Sequence, residues 1–194
     1  LMAGIYLGYH WFTSVPETDM DALTKQAAEY LLKPRGAFVP EADPDTLRIV
    51  ELERKGDYLA ALCSDEEGRW CMGVYDRDKI FENRWRGGGG KPRLTSGELG
   101  SWNFGNPQEA VIIFCGGDLP EEAAYYTFHN SGITYTCPIK SGQVLDVFLN
   151  HGVFTVGNYF YNGIGHVCVD YGKVLKVGYR GIIAEARAKM DSLE

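Results

Sequence analysis

The sequence predicts an α+β protein, predominantly antiparallel β-sheet, with an N-terminal helix and a short C-terminal helix. Three observations lead there. Apolar residues recur at helical spacing in two places, over Asp19–Leu32 and over Ile182–Leu193. Between them, short apolar and aromatic runs alternate with turns built on Gly, Asn or Asp. The chain has 194 residues, 45% of them hydrophobic and 13% aromatic, enough to bury the core of one large domain or two small ones.

The first residues stand apart. Leu1–Leu7 is apolar apart from Tyr6, and Thr13–Asp19 is a polar, Pro-containing link. The preferred reading takes 1–18 as the remnant of a membrane anchor or signal segment with its linker. The alternative has Met2 near the native start and the segment packed on the domain. Over Asp19–Leu32, Thr18 or Asp19 can cap a helix whose Met20, Leu23, Ala27, Tyr30 and Leu31 share a face. Lys33-Pro34 ends it, because the residue before Pro avoids helical geometry.

A four-strand meander follows. Leu47–Glu53 alternates imperfectly; Tyr58–Cys63, Trp70–Tyr75 and Ile80–Trp85 are separated by turns at Lys55–Asp57, Asp65–Gly68 and Asp76–Asp78. A helix ahead of such a meander can cover one of its faces. Gly87–Gly90 and the Gly-, Ser- and Asn-rich Thr95–Asn106 then read as a long irregular connection that can divide 19–194 into two subdomains near 87–106. Strands resume at Ala110–Cys115, Ala123–His129, Ile133–Ile139, Val144–Leu149, Val153–Tyr161, His166–Tyr171 and Lys173–Tyr179.

Charge and motifs exclude more than they assign. The net charge of −7 divides as −6 over 1–70, +2 over 71–100 and −3 over 101–194. An acidic chain repels nucleic acid unless it carries a concentrated basic face. Here Arg77, Lys79, Arg84, Arg86, Lys91 and Arg93 are interleaved with Asp76, Asp78 and Glu82, as on a solvated edge strand. Nucleic acid is therefore not an expected partner. The glycine run is no phosphate loop: Trp85 stands where the first glycine should be, and Pro92 where a magnesium-binding hydroxyl should be.

Five cysteines contain no C-x-x-C pair, and His129, His151 and His166 form no metal-binding spacing. No catalytic residue, metal site or cofactor is assigned. Cys137, Cys115 and Ser131 lack an identifiable base, and Cys137 is expected opposite Tyr125. Glu82, Glu98, Glu109, Asp118 and Asp146 are carboxylates from which a glycosidase pair could come. If Asp65–Arg69 is a hairpin loop, Cys63 and Cys71 lie opposite each other, within reach of a disulfide.

Aromatic rings supply the expected binding surface. Trp85, Trp102 and Phe104 border the glycine-rich connection, and Tyr159 and Tyr161 flank Phe160 on one strand. Such rings stack on sugars or dock a protein partner. Tyr125 and Tyr126, beside Ala123 and Ala124, read instead as core.

His129–Thr136 (HNSGITYT) followed by Val144–Phe148 (VLDVF) resembles a hairpin pattern of small, uncharacterised, membrane-anchored extracytoplasmic proteins of Gram-positive bacteria. It covers under a fifth of the chain and carries no catalytic residue. With the apolar start, it implies a non-catalytic extracytoplasmic binding or interaction domain, associated with the membrane through an N-terminal anchor. The rival expectations are a glycan-directed hydrolase and a structural or assembly protein.

Overall fold

The computed structural model describes residues 2–32, 42–105, 110–130, 133–149, 154–161 and 167–170. They form helices α1 (Met2–Thr13) and α2 (Met20–Leu31) and twelve strands. The strands are β1 (Val15–Pro16), β2 (Arg48–Lys55), β3 (Tyr58–Ser64), β4 (Trp70–Arg77), β5 (Arg84–Leu94), β6 (Gly100–Gly105), β7 (Ala110–Gly116), β8 (Tyr125–Asn130), β9 (Ile133–Pro138), β10 (Val144–Leu149), β11 (Phe154–Tyr161) and β12 (Val167–Asp170). The pairings β1–β5, β2–β3, β3–β4, β4–β5, β6–β7, β8–β9, β8–β11 and β11–β12 are antiparallel, as the fold class predicts. The expected strand over Lys173–Tyr179 and helix over Ile182–Leu193 lie outside the described residues.

Two compact units divide the chain between Thr95 and Ser96, with Leu145–Phe148 of β10 belonging to the first. The first unit holds a five-stranded sheet in the order β1-β5-β4-β3-β2. Its core gathers Leu23, Ala27 and Leu32 of the α2 region with Leu59, Ala61, Cys63, Cys71, Tyr75 and Trp85 of the sheet. Asp19 caps α2 by accepting from Ala22 N–H at 3.0 Å, and the buried Tyr75 hydroxyl donates to the Leu23 carbonyl at 2.8 Å.

The imperfect alternation of Leu47–Glu53 has a structural cause. The β2–β3 register slips between Ile49 and Glu51, so Val50 is a bulge residue and Glu51 moves off the apolar face.

The glycine run corrects the sequence expectation. It is not a loop but the middle of β5, paired to β4 at Tyr75↔Gly87, Val74↔Gly89 and Gly73↔Gly90. The physical reason is the helix above it. A Cβ on Gly87 would stand 3.4 Å from the Tyr30 ring; one on Gly90, where φ is +145°, would lie 2.1 Å from the Met72 carbonyl oxygen and 2.8 Å from Leu31. Glycine lets α2 and β4 approach a strand that a side chain would hold away. Thr95–Asn106 likewise contains β6 rather than only irregular chain.

In the second unit β7 pairs with β6, and its Val111–Cys115 is fully buried, as expected of a central strand. A four-stranded sheet runs β12-β11-β8-β9. The β8–β9 hairpin closes at Asn130↔Ile133, which puts Cys137 opposite Tyr126 rather than Tyr125. Tyr126 and Phe128 are buried with Phe114, ring centroids 5.4 and 4.4 Å from it.

Candidate functional site

The rings expected to form one contact surface are distributed over both units. Trp85 belongs to the first and is fully buried. Its Nε1–H donates to Glu17 at 3.2 Å, and the guanidinium groups of Arg54 and Arg77 stand 5.3 and 5.8 Å from the ring centroid. Its faces are occupied from within, so it offers no stacking platform.

Trp102 and Phe104 are in the second unit, half-buried on one face of β6, opposite Ile113 and Val111. Tyr159 and Tyr161 occupy β11 at register positions opposite Thr127 and Tyr125; their side chains lie outside the described residues. Of the candidate carboxylates, Asp118 is exposed and accepts from Ser96 at 2.8 Å, and Glu109 lies outside the described residues. Asp146 faces a carboxylate that periodicity did not single out, Glu53. Glu53 accepts from Val147 N–H at 3.0 Å, and burial with the charge of Asp146 pushes its carboxyl up to about 7.

The feature that stands out is α1. Its sequence, MAGIYLGYHWFT, holds no Asp, Glu, Lys or Arg. In a conventional surface helix the apolar stripe is buried and polar residues face water. Here the arrangement is reversed. His10 is the buried residue, while Met2, Ile5, Tyr6, Leu7, Tyr9, Trp11 and Phe12 are exposed, Phe12 at 87% and Met2 at 82%.

The helix is held by polar contacts. His10 Nδ1 donates to Asp78 Oδ2 at 2.9 Å, the proton being assigned to Nδ1 because the carboxylate can only accept. Arg86 Nη2 donates to the same oxygen at 2.7 Å and lies 2.8 Å from Nδ1. Burial alone would raise the Asp78 carboxyl. The N–H groups of Phe81 and Ile80, with His10 and Arg86, outweigh it and hold the group well below the usual carboxylate range.

Several carbonyls at the C-terminal end of α1 accept from side-chain donors. Thr13 Oγ1 donates to Tyr9 O, Ser14 Oγ to His10 O, Arg84 Nη2 to Trp11 O and Ser14 O, and Gln26 Nε2 to Thr13 O. The Arg84 guanidinium also covers the Trp11 ring at 4.1 Å, a cation placed where the helix dipole favours one. Thus Arg84 and Arg86 are not solvated edge charges: they fasten a helix. Thr13–Asp19 is not simply a polar link either, since Val15–Pro16 pairs with Trp85 and Arg84.

Sequence reasoning missed this clamp because His10 and Asp78 are 68 residues apart. The one local signal was Asp78 two residues before Ile80, an arrangement suited to an Asx turn.

Elsewhere in the first unit an open cavity of about 620 Å³ lies between α2 and the start of β2, lined by Asp21, Lys25, Glu29, Asp45 and Arg48 among others and by no aromatic ring. Among the described residues no cluster of three or more His, Cys, Asp or Glu could hold a metal ion, and no helix is long and apolar enough to cross a membrane.

Comparison with known proteins adds one likeness. The model of a pyruvate formate lyase-like family matches residues 127–194, about a third of the chain. No curated protein and no solved structure matches.

Proposed function

We propose that this protein is a non-catalytic interaction domain held against a lipid surface by α1, on the outer side of a membrane. The observation that carries the reading is the reversed polarity of α1: polar groups dock it, and apolar side chains face outward. A helix apolar on nearly every side is ordinarily covered by another apolar phase. A lipid surface suits it because the exposed set is uncharged all round and mixes aliphatic Met2, Ile5 and Leu7 with Tyr6, Tyr9 and Trp11, whose rings favour the headgroup level. The extracytoplasmic side follows from the resemblance of His129–Thr136 and Val144–Phe148.

Flotation with phosphatidylcholine vesicles tests this. The wild-type chain is expected to float with the vesicles, and an Ile5→Asp/Phe12→Asp variant to lose at least tenfold in partitioning with an unchanged melting temperature, since a charge in hydrocarbon costs a few kcal/mol. Equal flotation of the variant, or none of the wild type, would reject the reading.

The family match favours a second reading for residues 127–194, an enzyme of pyruvate–formate lyase type. Incubation with labelled pyruvate and a thiol co-substrate to accept the acetyl group left by formate release, followed by NMR for formate, separates the two.

A further inference from the structure

We propose that Cys63 and Cys71 form a reversible cross-strand disulfide that staples the sheet of the first unit according to the redox state of its surroundings. The pairing of β3 with β4 is unbroken from Tyr58↔Asp76 to Ser64↔Trp70, and within it Cys63 stands directly opposite Cys71. Directly opposed residues of an antiparallel pair have Cα atoms roughly 4.5–5.5 Å apart, inside the window of about 4.4–6.8 Å that a disulfide spans. The two strands need not slide or separate for the bond to form.

Three further observations single out this pair. Both thiols are free in the structure and fully buried in one core cluster beneath α2. The neighbouring Cys63 side chain and burial push the Cys71 thiol well above the ordinary value. The turn between them is pinned by Asp65, which accepts from Glu67 N–H, Arg69 N–H and Arg69 Nε at 2.6–3.0 Å. In the second unit Cys115 stands opposite Gly100 and Cys137 opposite Tyr126.

The chemistry is thiol–disulfide exchange with a disulfide oxidant, such as oxidised glutathione or the active-site disulfide of an oxidoreductase. One cysteine, as thiolate, attacks the oxidant and expels a thiolate, leaving a mixed disulfide. The second attacks the protein sulfur of that mixed disulfide, closes the Sγ–Sγ bond and expels the second thiolate. Two electrons pass from the cysteine pair to the oxidant, and the two cysteine protons end on the expelled thiolates. Because the closed fold buries both sulfurs away from an oxidant, exchange proceeds while the hairpin is open, during folding or local opening. This inference stands on the β3–β4 register and does not depend on the role of α1.

The experiment needs no variant that threatens folding. The wild-type chain is refolded in a glutathione redox buffer, free thiols are blocked, and trypsin cuts after Arg69, between the two cysteines. The expected product is peptide 56–69 joined to peptide 70–77, separated by reduction. The oxidised protein should melt roughly 5–10 °C above its reduced form, as closure of so short a loop implies. A Cys63→Ala variant should melt alike in both buffers. Recovery of both cysteines blocked singly from the oxidised, folded protein, or of Cys63 joined to another cysteine, would overturn the proposal.

Discussion

The two helices of the first unit have the same length, 12 residues, and opposite designs. In α2, Leu23 and Ala27 are buried against the sheet, Asp21, Lys25 and Glu29 are exposed, and Gly90 of β5 leaves room for Leu31. In α1, His10 is the buried residue and the apolar side chains face away. One helix is held by burial of apolar surface, which is non-directional and scales with area. The other is held by a few charge-assisted hydrogen bonds that fix its geometry and contribute little area. The contrast separates what stabilises the fold from what the fold presents.

Truncation in α2 should have the largest effect. Leu23 is fully buried, so Leu23→Ala should cost about 3 kcal/mol, the lost transfer energy plus a cavity under α2 that the sheet cannot close. Chemical denaturation would read it as a lower midpoint with an unchanged slope. A cost below about 1 kcal/mol would mean that α2 is no more integral than α1.

The clamp gives the next effect. Asp78→Asn leaves Arg86 and His10 without their charged acceptor and should cost about 2 kcal/mol near neutral pH. The pH dependence has a definite sign. The folded carboxyl titrates below its unfolded value, so its contribution is fully present above about pH 4 and is lost as pH falls through the folded value. Wild type should therefore lose its advantage over Asp78→Asn on acidification below about pH 4. An advantage that stays constant down to pH 2 would show that the carboxylate charge is not what fastens α1.

The smaller Glu53 effect runs the other way. Burial and Asp146 raise its carboxyl to about 7, so the folded state holds a proton that the unfolded state releases. Stability then falls as pH rises from about 4.5 towards 7. Glu53→Gln should gain about 1 kcal/mol at pH 8, the shift being discounted because the group is only half-buried, and nothing at pH 4. A loss at pH 8 would mean that the bond from Val147 N–H outweighs the repulsion.

The two helices also divide what could be read in the sequence from what could not. The 3.6-residue recurrence of Leu23, Ala27, Tyr30 and Leu31 and the cap at Asp19 mark α2 directly, because its partner is apolar and any sheet face satisfies it. The Cys63–Cys71 opposition was legible because a short turn fixes a hairpin register. Gly87–Gly90 misled, since local propensity gives glycine to loops, whereas the run pairs with β4 and the close approach of α2 and the Met72 carbonyl requires glycine at Gly90. The α1 clamp was invisible: its partners, Asp78, Arg84 and Arg86, read locally as surface charge, and their role exists only once β5 has brought them beside His10. Trp85 failed as a site residue for the same reason, its burial being decided by Glu17, Arg54 and Arg77 from distant segments.

The outward face of α1 should contribute least to stability. Phe12 is 87% exposed, so Phe12→Ser removes apolar surface that folding never buried. Its stability should stay within about 0.5 kcal/mol of wild type, the range of surface substitutions remote from structural features. The same truncation at Leu23 should cost several times more, although both residues are large, apolar and helical. If Phe12→Ser instead destabilised the isolated chain by 2 kcal/mol or more, α1 would be packing its apolar side on the protein in solution, and the outward face would be a property of a minor state. If the cost is near zero, the energy of that face is still unspent in the folded chain and is released only when an apolar phase covers it.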